Sequence, residues 1–193
     1  PLATHLRAHR IESAGIVPGL FDRLGFDVFD FTTFDTSIDD TRREPTAKET
    51  TDRMIREIRS APPEKKRLVW AHYFDPHTPI DSDIDDATAF ENYAETVRRT
   101  DFEIGRLLEE VSGPGHETTA VIIGADHGDE FGDHGSFHHG FSLYESAVHV
   151  PMIMRVPRTA PRRRARRGYR RCRRAARAGR SPAAPERRSP PHR

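Results

Sequence analysis

The chain has 193 residues, a formal net charge of +1 at neutral pH and one cysteine, Cys172. That length allows one domain with a real core or part of a larger one; a lone cysteine excludes an intramolecular disulfide, and no apolar run reaches membrane-spanning length. The small net charge hides an asymmetry: Arg158 onward holds fifteen arginines and one acid, Glu186, leaving sixteen basic and twenty-nine acidic residues in Pro1–Pro157, a net of −13.

In chain order, Pro1–Arg10 can end a helix, with Leu2 and Leu6 one turn apart, and Ile11–Val17 reads as a strand closed by Pro18-Gly19. Leu24–Asp30 is an aromatic-rich loop, and the four phenylalanines between Phe26 and Phe34 are expected in the core. Thr46 and Glu49 have capping-box spacing ahead of Met54, Ile55 and Ile58, so a helix is predicted over Thr46–Ser60, stopped by Pro62-Pro63. Leu68–Phe74 is a second buried strand, and Asp83–Phe90 reads as a polar surface loop. Tyr93, Val97, Ile104, Leu108 and Val111 trace one face of a helix from about Ala87 to Val111, stopped by Gly113-Pro114-Gly115. Thr118–Gly124 is a third strand, expected to be buried on both faces, and Pro151–Val156 another. Strands alternating with helices predict an α/β fold with a mostly parallel sheet and helices on both faces.

The chain is expected to divide into a folded part, residues 1–157, and an Arg- and Pro-rich tail, residues 158–193, too poor in aliphatic residues to bury a core. A basic run can bind polyanions. An out-of-frame extension is the preferred explanation, and no specific nucleic-acid partner is expected. No internal repeat or signal peptide is visible. The chain starts at Pro1 rather than Met, which leaves room for a preceding segment with any export signal, so localisation stays open.

Two stretches carry chemistry. Val121–His139 (VIIGADHGDEFGDHGSFHH) runs from a β-branched strand into a loop rich in Gly, Asp and His, and five of the eleven histidines lie between His127 and His149. DHG alone is often only a turn. An Asp and a His just past a buried strand nevertheless stand where open α/β sheets place their ligands, and imidazole is a common metal ligand and proton carrier. The second stretch, His72–Pro79 (HYFDPHTP), follows the Leu68–Phe74 strand, and Pro76 and Pro79 stiffen the loop around His77. One parallel sheet would bring His77, Asp126 and His127 to the same rim.

The run DHGDEFGDHG, then HHG, then LYESAVHVPMIMRVP resembles the alkaline-phosphatase-like sulfatases, which typically read SDHGE-x-x-G-x-HG, HG-x-x-LYEE and R-VPLI. DPHTP and Leu24–Asp30 resemble that family's DPHxPY and RGFDxYD segments, with Ile80 in place of the usual tyrosine. The resemblance covers the latter part of a catalytic domain. It implies Asp126 and His127 as metal ligands, and His77 and His139 as catalytic and substrate-binding residues that contact the ester oxygens or protonate the leaving group. His139 stands where relatives often carry lysine. His72 and Asp75 are expected as support, His134 to orient the loop, Asp129 and Glu130 to brace the turn. His149 replaces a usual Arg, losing a fork of donors.

The family's nucleophile is a cysteine, oxidised to formylglycine, or a serine in C/S-x-P-x-R. Cys172 is followed by Arg-Arg-Ala-Ala and is rejected, so no nucleophile is assigned, and the paired aspartates that complete the metal site are expected upstream. The resemblance implies a sulfuric ester hydrolase that uses a divalent metal, calcium first with zinc or manganese as alternatives, and this chain alone is expected to be inactive. A phosphoethanolamine transferase or phosphonate or phosphodiester hydrolase of the same superfamily is the nearest alternative. A non-catalytic polyanion-binding protein is the alternative from another class. Substrate identity and oligomeric state stay open.

Overall fold

The computed structural model describes residues 1–20, 30–39, 46–62, 64–77, 86–132, 134–135 and 137–157, all within one unit, Pro1–Arg158. The tail, Cys172 and most of Leu24–Asp30 lie outside the described residues. The elements are α1 (Leu2–Ala8), β1 (Glu12–Pro18), β2 (Thr33–Ile38), α2 (Ala47–Arg59), β3 (Arg67–Ala71), α3 (Asp86–Glu110), β4 (Val121–Gly124), β5 (Glu130–Phe131), β6 (Phe137–His138), α4 (Glu145–Val148) and β7 (Met152–Arg155).

The expected α/β class with a mostly parallel sheet holds. β1 is the middle strand of a three-stranded parallel sheet in the order β2-β1-β3. Residues Ser13 to Pro18 of β1 are buried throughout, as a strand covered on both faces requires. On one face Ile16, Ile38, Met54 and Leu107 form the core, and Ile55, Ile58, Val69, Ala71 and Tyr73 pack against it. Met54, Ile55 and Ile58 share one side of α2, so the helical period of the sequence places them there. On the other face Gly15 pairs with Phe34 and Trp70, and Phe31 stacks on both rings at 5.9 and 5.8 Å. A Cβ at Gly15 would lie 2.7 Å from Phe31 and 2.8 Å from Phe34, so the ring stack needs glycine there. Phe31 and Phe34 are half-buried, in line with a packing role; Phe26 and Phe29 are outside the described residues.

Several expectations need correction. Thr33–Ile38 is a strand to which the sequence pattern assigns no element; its polar alternation suits a strand covered on one side only. Asp86–Phe90 opens α3 instead of forming a surface loop. The buried stripe of α3 runs through Ala89, Thr100, Glu103 and Leu107 and continues to Val111 just past its end, while Val97 is exposed. The polar side chains of that stripe find partners within α3: the Thr100 hydroxyl donates to the Thr96 carbonyl at 2.9 Å, and Arg106 donates to the Glu103 carboxylate at 2.5 Å. From α2, the Thr51 hydroxyl donates to the Glu103 backbone carbonyl and shares a 2.8 Å hydrogen bond with the Tyr73 hydroxyl. In α1 the buried residue is Ala3, and Leu2 is exposed.

The largest correction concerns β4. It is outside the parallel sheet, pairs antiparallel with β7 in the register Val121↔Arg155 to Gly124↔Met152, and leaves Ile122 exposed. The β-branched run forms a strand as expected, but not one buried on both faces. Arg155 ties this ribbon to the end of α3, donating to the Val111 carbonyl and the Ser112 hydroxyl, each at 2.6 Å.

Candidate active site at the ends of β3 and β4

β3 is shorter than predicted. It ends at Ala71, although the His72 N–H still donates to the Ile16 carbonyl at 3.0 Å. The chain then turns, and the His77 N–H closes on the Phe74 carbonyl at 2.9 Å. Asp75 sits inside this turn with its carboxylate directed at the start of α2. Oδ1 accepts from the Thr46 N–H at 2.7 Å and the Thr46 hydroxyl at 2.6 Å, and Oδ2 from the Ala47 N–H at 2.9 Å. The predicted capping box is therefore replaced: Thr46 makes no side-chain cap of its own, and Glu49 instead pairs with Arg53 at 2.5 Å. With its base pinned, the turn presents the His77 ring stacked on Phe74 at 4.6 Å.

Past β4, the Asp126 Oδ1 accepts from the His127 N–H at 3.2 Å. His127 Nδ1 lies 2.9 Å from the Gly128 carbonyl, which can only accept, so Nδ1 carries the proton and Nε2 keeps its lone pair. That Nε2 is 3.7 Å from Asp126 Oδ2. Two ligands each about 2.1 Å from one cation are typically separated by roughly 3–4 Å, so this pair fits a shared divalent ion. Asp126 is well exposed and His127 about one-third exposed.

The loop closes on itself through β5 and β6, which pair Glu130 with His138 and Phe131 with Phe137. The His139 Nδ1–H donates to Asp129 Oδ1 at 2.8 Å. The His139 ring stacks on His127 at 3.7 Å and meets His77 edge-on at 5.2 Å. Ligand atoms of His127, Asp129 and His139 all lie within 4.8 Å of one another, a second grouping able to hold a cation. The rim expected from one continuous sheet does not exist, yet His77, His127 and His139 still meet, with His139 as the bridge.

His72 lies behind them. Burial pushes its imidazole below its ordinary value, Asp126 pulls the other way, and His77 and His127 add to the lowering. His72 is thus a neutral neighbour of the cluster. His134 is turned away: its Nδ1–H donates to Glu130 Oε1 at 2.8 Å and its ring stacks on Tyr144 at 3.6 Å. His149 is exposed and 3.8 Å from Glu145, with no part in the cluster. Sequence reasoning underused Asp129, whose place two residues after His127 and ten before His139 was the available signal.

The sulfatase family model matches residues 9–173, and the chain belongs to the sulfatase family. No curated protein matches it. The chain's last five residues, Ser189-Pro190-Pro191-His192-Arg193, carry the Ser-x-Pro-x-Arg spacing that the sequence reading passed over. They lie outside the matched and the described residues, and follow the DHG segment where the family resemblance places the nucleophile before it.

Proposed function

We propose that this cluster is part of a site for metal-dependent hydrolysis of a sulfate ester. The observation that carries the reading is the meeting of His77, His127 and His139, with Asp126 beside His127, in a chain of the sulfatase family.

Asp126 and His127 would hold the divalent cation, one through a carboxylate oxygen and the other through Nε2. Such an ion offsets charge on a sulfuryl group and on an attacking oxygen. His139 is stacked on His127 and meets His77 edge-on, so both imidazoles stand beside the ligand pair, where they can contact the ester oxygens. Phe74 fixes the plane of the His77 ring, and Asp129 fixes that of His139, so neither has to be ordered when substrate arrives. Two ligands do not fill a coordination sphere, and no nucleophile is assigned, so the chain alone is proposed to be inactive as a hydrolase. Calcium is the first expectation. The neighbouring imidazoles favour zinc as a second reading, because nitrogen donors suit zinc better than calcium, and with it a phosphotransferase or phosphodiesterase activity; manganese is the remaining alternative.

The test is calorimetric titration of the full chain with calcium, zinc and manganese, with Asp126→Ala and His127→Ala as controls. Calcium binding lost in both variants supports the sulfatase reading, and a zinc preference lost in both supports the second. No binding of any of the three, or binding unchanged in both variants, overturns the metal assignment. Turnover of an aryl sulfate by the chain alone would overturn the proposed inactivity.

A further inference from the structure

Glu130 is buried to 1 % exposure and carries an acid that the proposed chemistry does not use. Its Oε1 accepts from His134 Nδ1–H at 2.8 Å and from the Ser146 hydroxyl at 2.9 Å. These partners lie on the turn after β5 and on α4, so one carboxylate oxygen joins three separate places in the loop. A third tie runs beside these two, from the Gly128 N–H to the Ala147 carbonyl at 2.8 Å. Gly128 is packed so closely against the Ser146 carbonyl that a Cβ there would collide with it, which leaves this segment little room to shift.

Glu130 also faces His138 across the β5–β6 pair. The residues next to them, Asp129 and His139, make the hydrogen bond that orients the His139 ring. His138 itself has φ +70°, a left-handed turn that non-glycine residues seldom adopt, and it redirects the chain just before His139. A backbone held this way returns to commoner angles unless neighbouring contacts fix it.

We infer that Glu130 is a positioning residue: by anchoring β5 to His134 and Ser146 it holds Asp129 against His139, and through His139 keeps the His139–His127 ring stack in register. The inference rests on the reading of His127 and His139 as site residues. What matters is the acceptor oxygen in the right place, so glutamine is expected to replace glutamate.

The test uses the full chain as wild type, Glu130→Gln, Glu130→Ala and, as a control for general destabilisation, Met54→Ala in the core. The ring resonances of His127 and His139, read by ¹⁵N-edited NMR, report the stack directly and need no metal. They are expected to be unchanged in Glu130→Gln and Met54→Ala and displaced in Glu130→Ala. Affinity for whichever of calcium or zinc the wild type binds is expected to fall about ten- to a hundred-fold in Glu130→Ala, the usual effect of losing support behind ligands. Unchanged His127 and His139 resonances in a folded Glu130→Ala overturn the inference, whatever happens to melting temperature. Should that variant not fold, His134→Phe keeps a ring on Tyr144 and removes the N–H; unchanged resonances there overturn it equally. A wild type that binds no metal defeats the hydrolase reading alone, since the ring spectra still decide this one.

Discussion

Asp75 caps helix α2 from twenty-eight residues beyond its first residue, its Oδ2 accepting the Ala47 N–H at 2.9 Å. With Oδ1 on the Thr46 N–H and hydroxyl, one carboxylate satisfies two of the four N–H donors that a helix start leaves open and adds negative charge at the positive end of the dipole. The same residue sits in the turn that carries His77. Replacing it by alanine is expected to destabilise the chain by about 1–2 kcal/mol, the usual value of a cap. Asparagine, which keeps one acceptor oxygen, is expected to lose less. Thermal melts of the two variants test the order, and an alanine variant as stable as wild type would refute the capping role.

Gly15 is the close approach in the parallel sheet. Gly15→Ala would place a methyl carbon 2.7 Å from the Phe31 ring, and overpacking of this kind typically costs about 1–3 kcal/mol. Phe34 is equally near, at 2.8 Å, and belongs to a strand, whereas Phe31 lies before it. Phe31→Leu is therefore expected to relieve part of the loss. Denaturant unfolding of the two single variants and the double variant measures the coupling; strict additivity would mean that the alanine does not press on Phe31.

Asp35 and Arg53 join β2 to α2. Arg53 Nη1 is 2.6 Å from both Asp35 oxygens, and the Ser37 hydroxyl and N–H donate to Oδ1 at 2.7 and 3.0 Å. Burial alone would raise the Asp35 carboxyl, but the Ser37 bonds and the Arg53 guanidinium outweigh it and leave it below its ordinary value. With the folded value depressed, the stability this group contributes is present above the unfolded value, about 3.9, and is lost as pH falls through the folded one. Melting temperature followed from about pH 6 to pH 2 is expected to drop in the acid range, and to drop less in Asp35→Asn. Equal slopes for the two proteins would exclude Asp35 as a source of the acid sensitivity.

The sequence made α2, β1, β3 and β7 legible because their apolar residues follow the helical or strand period and are closed by Pro or Gly. β2 was hidden because TFDTSI alternates polar residues with few apolar ones, and its stabilising partner, Arg53, lies in another element. The composition of β4 reads as a buried strand, and composition alone cannot tell which strand it pairs with. In the site, His77, Asp126, His127 and His139 were visible as residues flanking Gly and Pro. What brings them together was not, since Asp129 meets His139 only after β5 and β6 pair. The Asp75 cap was invisible for the same reason: local spacing favours Thr46 with Glu49, and the contact that prevails comes from the far side of β3.

Thr50 gives a prediction of opposite sign. It lies on the buried side of α2 with no exposed surface, its N–H is used by the Thr46 carbonyl, and its hydroxyl oxygen has no hydrogen-bond partner among the described residues. A buried hydroxyl without a partner loses its water and gains nothing in return. Valine has nearly the same shape, a similar helix propensity and a side-chain rotamer that suits a helix. Thr50→Val is therefore expected to stabilise the chain by about 1 kcal/mol, read as a higher melting temperature and a higher urea midpoint at unchanged slope. Thr51, one residue on, is the contrast: its hydroxyl is bonded to Tyr73 and to the Glu103 carbonyl, so Thr51→Val is expected to destabilise. If both variants lose stability alike, the Thr50 hydroxyl does have a partner in solution, and the difference drawn between these two neighbouring threonines is wrong.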